Sequence, residues 1–319
     1  MKAKFLLLAL ALTQTLQAQR KMTAPEFLQQ GDTVAIVATA RKIDLATLQP
    51  GIKLLESWGL HVVIGNTIGP EDHQLAGPDW QRATDFQHML DDPKIKAIWA
   101  AKGGYGTVRI IDRIDFTKFR QRPKWIVGFS DVTVLHSHLN NMNVETLHAM
   151  MAISAKTAAP EAIESLHKAL FGKKLEYHLP PHPYNVKGQA KAELVGGNLS
   201  VLYSILGSKS AVDPKGKILF IEDLDEYLYH VDRMLFNLKR NGWFDNVKAV
   251  IVGGMTEMKD NDIPWGKDAL QILQDVFKDC KFPVIYNFPA GHIKDNRAMV
   301  FGKTVTVEVT DKGSSVVFE

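Results

Sequence analysis

The sequence predicts an α/β fold in two domains, an N-terminal doubly wound parallel sheet followed by a smaller C-terminal α/β domain. Three observations lead there. Short β-branched runs alternate with segments of helical period through the first half of the 319-residue chain, the pattern of a parallel sheet covered on both faces. The third and fourth of these strands each end on a turn of special composition, the place where open α/β sheets build their sites. A Pro-rich interruption then precedes a second set of strands.

Residues 33–38 form the first apolar strand, and Leu48, Ile52 and Leu55 then recur at helical spacing until Gly59 ends the helix. Residues 60–64 are a second strand, 82–90 a helix closed by Asp91-Asp92-Pro93, and 95–101 a third strand. Beyond it lies Lys102-Gly103-Gly104-Tyr105-Gly106, where adjacent glycines allow close approach by a ligand. Trp125, Ile126 and Val127 make the fourth strand, which passes into a helix at Gly128-Phe129-Ser130-Asp131.

From Lys156 to Gln189 the chain changes character. A helix at 162–170 leads to Lys173-Lys174 and Leu179-Pro180-Pro181-His182-Pro183, which reads as a connection between domains. The first domain is thereby bounded at 22–155 and the second at 190–319. In the second, 192–195, 218–221, 247–252 and 284–286 are predicted strands, and Gly196-Gly197-Asn198 a turn opening the helix 199–206. Helices are expected near 228–240 and 266–279, and a terminal hairpin at 299–318.

Residues 1–18 stand apart from this fold. Lys2 and Lys4 precede an apolar run from Phe5 to Leu12, polar residues follow, and Ala18 closes the segment. This is the pattern of a secretory signal cleaved before Gln19, so the protein is expected to be exported to the periplasm. An uncleaved anchor is the alternative, but the run is far short of the roughly 20 residues that span a bilayer. Of 38 Lys and Arg, loss of Lys2 and Lys4 leaves 36 against 35 Asp and Glu, a net charge of +1. That balance gives no footprint for nucleic acid or an acidic membrane surface. The single cysteine, Cys280, excludes an internal disulfide and is expected in the core at a helix end.

Ser130 sits where strand becomes helix, which suits both a helix cap and a nucleophile presented beside outward N–H groups. The hydrolase elbow pattern Gly-x-Ser-x-Gly is half met, because Val132 stands at the second glycine. The 102–106 loop matches neither Gly-x-Gly-x-x-Gly nor a P-loop. It is either a plain turn or, facing Ser130 from the neighbouring strand, a partner of the Asp131 N–H in an oxyanion hole. A nucleophilic serine needs a base and an orienting carboxylate. His292, on the loop after Phe288-Pro289-Ala290-Gly291, and Glu222, at the end of a buried strand, suit those roles. A metal site is disfavoured: His136 and His138 lie two apart on a helix and point apart, and no His-Glu-x-x-His occurs.

Several of these segments, in this order, resemble one family, the serine peptidases typified by LD-carboxypeptidase (muramoyltetrapeptide carboxypeptidase), whose relatives include the microcin C immunity peptidase. They are Ala101 to Gly106, Gly128 to Thr133, Thr146-Leu147-His148, Gly196 to Ser200, Ile221-Glu222-Asp223, Asp232 to Leu235 and Gly291-His292. Lys102 departs from the family's usual Arg, and Ala149 from its usual Gly. The resemblance implies a Ser130–His292–Glu222 triad in an interdomain cleft and an oxyanion hole from the N–H groups of Gly104 and Asp131. It implies no cofactor, no metal, and a homodimer. The implied reaction releases terminal D-alanine from a murein tetrapeptide at an L,D bond. An amidase of peptide-nucleotide antibiotics and a non-catalytic periplasmic peptide-binding protein are the rivals. A carboxypeptidase must also hold a terminal carboxylate, and Lys102 and Arg233 are the expected cations.

Overall fold

In the computed structural model, residues 21–319 are described; the expected signal segment lies outside them. The chain forms two sheets in two α/β domains. The first has six strands in the order β11-β5-β4-β3-β1-β2. Its parallel members are β1 (Thr33–Val37), β2 (His61–Ile64), β3 (Ile95–Ala100), β4 (Trp125–Gly128) and β5 (Thr146–His148). Helices α1 (Leu45–Ser57) and α2 (Asp79–Asp91) follow β1 and β2, and the short α3 (Thr117–Gln121) precedes β4. Alternate residues of β1 explain the double winding: Val34 and Ile36 join one buried cluster, Ala35 and Val37 another on the opposite face. Each fully buried Val or Ile of this kind contributes roughly 1.5–3 kcal/mol. The strand order reverses between β1 and β3, so the crevice beyond their C-terminal ends is the natural place for a site.

The second sheet has seven strands, one more than the first, in the order β10-β9-β8-β7-β12-β13-β6. Here β7 (Gly188–Asn198), β8 (Ile218–Leu224), β9 (Ala249–Thr256) and β10 (Val284–Ile285) run parallel. The hairpin of β12 (Thr304–Thr310) and β13 (Gly313–Phe318) and the strand β6 (Glu176–Leu179) extend it antiparallel.

Four expectations need revision. The 156–189 stretch is more than a connection: it carries α5 (Pro160–Leu170), whose Ala162 and Leu166 are wholly buried, and β6, which extends the second sheet. Gly196 and Gly197 are not a turn. They continue β7, and α6 (Leu199–Ser204) starts only at the Asn198 cap. The hairpin at the C-terminus begins at Thr304, because residues 299–301 form β11 (Met299–Phe301), which returns to the first sheet antiparallel to β5. Cys280, just after α8 (Ala269–Phe277), is only partly buried. No helix among the described residues is long and apolar enough to cross a membrane.

Candidate active site

Ser130 opens a short 3-10 turn, Ser130–Val132, between β4 and α4 (Thr133–Asn141). Its backbone has φ of +62°, a conformation non-glycine residues seldom adopt, at a cost on the order of 1–3 kcal/mol. The side chain is hydrogen-bonded to a histidine. Its Oγ lies 3.1 Å from His292 Nε2, and His292 Nδ1 lies 2.6 Å from Glu222 Oε2. The turn therefore presents the hydroxyl to a base instead of capping a helix.

The base is held from two sides. Glu222 on β8 is fully buried, and its Oε2 accepts both the ring Nδ1–H and the backbone N–H of His292, the latter at 3.1 Å. The loop carrying the histidine is braced in turn, because the Gly291 N–H donates to Asn296 Oδ1 at 2.8 Å. Burial works to depress the His292 pKa. The charge and hydrogen bond of Glu222 outweigh it, aided by Asp223 and Glu257, so the ring is held above the usual histidine range.

The glycine loop after β3 faces the serine. Gly104 has φ of +110°, and a side chain there would strike Arg41, so only glycine fits. Asp131 secures this loop with its side chain: its Oδ2 accepts the Thr107 N–H at 2.9 Å. The carboxyl is buried, which raises its pKa against the hydrogen bonds of Thr107 and Gly106. Arg82, also buried, donates to the carbonyls of Thr39 (2.6 Å) and Gly106 (2.9 Å), locking the loops after β1 and β3 together.

Residues from both domains line a cavity of about 510 Å³ that contains Ser130 and His292, a size suited to a small peptide. Gly103, Gly104 and Lys102 form part of its wall, as does Arg41. Arg233, the other expected cation, is on the exposed face of α7 (Leu228–Arg240). Its guanidinium stacks over Tyr229 at 5.1 Å, away from the cavity lining. Arg41 was missed by sequence reasoning, as was the Asn198–Asp223 pair. Asn198 Nδ2 donates to Asp223 at 2.8 Å, and its backbone N–H reaches Thr133 Oγ1 across the domain boundary at 3.0 Å. The signal for the pair was the Gly-Gly-Asn run. Gly197, with φ of +142°, lets β7 approach Thr133, since a β-carbon there would come 2.4 Å from Thr133 Oγ1.

His136, His138 and His148 serve separate tasks. His138 bonds Ser210 at 2.9 Å. His136 bonds the Gly128 carbonyl at 2.9 Å, and complete burial pushes its pKa down to about 4. His148 packs beside Phe129, Phe220 and Phe301, and burial holds it neutral.

Comparison with known proteins gives the family. Residues 34–149 match the LD-carboxypeptidase N-terminal domain, and residues 191–307 match the LD-carboxypeptidase C-terminal domain. The chain belongs to the LD-carboxypeptidase family. This peptidase is 34% identical over 300 residues to the probable murein peptide carboxypeptidase of Bacillus subtilis, covering 90% of this chain and 92% of that one. It is 24% identical to the microcin C7 self-immunity protein of Escherichia coli, over 94% of this chain and 97% of the other. The crystal structure of muramoyltetrapeptide carboxypeptidase from Oxalobacter formigenes superposes with a TM-score of 0.82 at 25% identity, covering 90% of this chain and 98% of that one. The two-domain α/β architecture is therefore that of the family.

Proposed function

We propose that this peptidase is a serine LD-carboxypeptidase that removes terminal D-alanine from murein tetrapeptides during peptidoglycan turnover. The observation that carries the reading is the unbroken line Ser130 Oγ, His292 ring, Glu222 carboxylate, drawn from both domains and opening into one cavity. Ser130 Oγ attacks the carbonyl of the L-residue while His292 Nε2 takes its proton, and the N–H groups of Gly104 and Asp131 stabilise the oxyanion. His292 then delivers that proton to the departing D-alanine nitrogen, and the C–N bond breaks to leave an acyl-serine. A water deprotonated by His292 hydrolyses the ester and restores Ser130. Glu222 keeps the proton of His292 on Nδ1, so that Nε2 faces the serine. Lys102 is the residue of the oxyanion loop that draws an anionic substrate to the cleft.

The expected export, with a mature N-terminus at Gln19, and the expected homodimer belong to the same reading. Envelope fractionation with N-terminal sequencing, and sedimentation of the purified protein, address them in turn.

The deciding experiment is a mass-spectrometric product profile on L-Ala-D-Glu-diaminopimelate-D-Ala. Release of D-alanine alone is expected. No release, together with cleavage of an aspartyl sulfamoyl adenosine conjugate, would move the assignment to the amidase activity of the microcin immunity type. Peptide binding with no cleavage of either substrate would make the protein a binder.

A further inference from the structure

We infer that Arg41 is the receptor for the free carboxylate of the substrate's terminal residue, and that its distance from Ser130 limits the leaving group to one residue. This rests on the carboxypeptidase reading above and specifies how its site measures a chain end.

Arg41 stands just beyond the C-terminal end of β1, in the crevice where the strand order of the first sheet reverses. Its backbone is fixed on both flanks. The Arg41 N–H reaches the Gly103 carbonyl at 3.4 Å, the Ala40 carbonyl accepts from Ala76 at 3.0 Å before it, and the Lys42 N–H donates to the Gln74 carbonyl at 2.9 Å after it. The side chain lies along the glycine loop: a β-carbon built on Gly104 would stand 2.5 Å from its Cδ and 2.7 Å from its Nε. Built on Gly103, one residue earlier, it would stand 3.2 Å from Ser130 Oγ. Successive Cα atoms are about 3.8 Å apart, so the loop joins nucleophile and guanidinium by a one-residue step. A single residue attached to the scissile carbonyl bridges that interval, with a hydrogen bond at its end. A leaving dipeptide would carry its carboxylate roughly 3.3–3.6 Å too far.

The charges agree with the geometry. Among the described residues the Arg41 guanidinium has no carboxylate or carbonyl partner, whereas it lines the cavity that holds Ser130 and His292. Its fork of donors suits bidentate binding of a carboxylate. Asp225 and Glu226 also line the cavity, but each already has a partner, Lys259 at 2.7 Å and His230 at 2.6 Å.

The test measures kcat/KM for the tetrapeptide acid, for its C-terminal amide, and for a peptide lengthened by a second D-alanine, in wild type, Arg41→Met and Arg41→Lys. Labelling of Ser130 by a fluorophosphonate reports an intact nucleophile in each. Arg41→Met is expected to lose roughly 10- to 100-fold on the acid, mainly through KM, the worth of a hydrogen bond to a charged group. It should change by less than about threefold on the amide and label at the wild-type rate. Arg41→Lys should fall between, and wild type should release no D-alanyl-D-alanine from the lengthened peptide. A wild-type preference for the acid that survives in Arg41→Met overturns the role of Arg41 alone. Equal cleavage of acid and amide by the wild type overturns the carboxypeptidase reading itself.

Discussion

Replacing Glu222 by Gln separates two roles that a triad carboxylate usually combines, orienting the histidine and stabilising its positive charge. In most triads the amide can turn its NH₂ toward the ring, which inverts the tautomer and costs about 10⁴ in kcat. Here the backbone N–H of His292 donates to the same oxygen, Oε2, as the ring Nδ1–H does. A main-chain N–H is always a donor, so a glutamine must keep its oxygen at that position, and the tautomer is preserved. What is lost is the charge. A hydrogen bond to a charged group contributes about 1.5–3 kcal/mol against about 0.5–1.5 kcal/mol for a neutral one, a difference of about 1–1.5 kcal/mol, so kcat should fall roughly 5- to 13-fold.

The same substitution moves the pH profile in a defined direction. His292 works as a base only when neutral, so activity rises with pH through its pKa, which Glu222 holds above the ordinary value of 6.5. Without that charge the desolvation of the ring prevails, and the acid limb should shift downward. Stability runs the other way: the raised pKa stabilises the fold fully below pH 6.5, and the gain fades as pH rises through the folded value. The assay is kcat and kcat/KM for D-alanine release between pH 5 and 9 on both proteins. A loss of 10⁴ or more with an unmoved acid limb would refute the argument, because it would mean that the main-chain N–H does not dictate the amide's orientation.

Two further substitutions probe the site and its frame. Ser130→Ala should lower kcat by roughly 10⁴-fold or more with an unchanged melting temperature, and adding His292→Ala should cost little beyond it, since triad members act as a unit; additive losses in steady-state assays would show that the two do not cooperate. Gly197→Ala puts a methyl group 2.4 Å from Thr133 Oγ1 at a φ of +142°. Backbone strain and overpacking together predict a loss of about 2–5 kcal/mol in urea titration, and an unchanged midpoint would show that β7 can retreat from the first domain.

Much of the site was legible because its residues sit where strands end. Ser130, the 102–106 loop and His292 each follow an apolar β-branched run, as does Glu222, although β8 continues past it to Leu224, and that local signal survives without tertiary information. Arg41 carries no such mark. It is an exposed residue in an irregular loop, and its meaning comes from the strand-order reversal that brings β1 beside β3. Arg233 failed for a readable reason: Val231, Met234, Leu235 and Leu238 form the buried stripe of α7, and that helical period turns position 233 outward. The role of the Asp131 carboxylate carries no local signal, because its bond to Thr107 is a contact between loops 24 residues apart. β11 was absorbed into the hairpin because three residues are too few to show a period of two.

The return of β11 to the first sheet bears on how this enzyme comes into being. Until residues 299–301 have been made and docked, β5 is a bare edge, a template for pairing with other chains. Ser130 and His292 are 162 positions apart, and the segment that closes the sheet follows the histidine by only a few residues. Contacts of such long range form late and slowly. The nascent polypeptide therefore carries Ser130 through most of synthesis before His292 exists, and the two come together only as β11 returns to the first sheet and the strands after it complete the second.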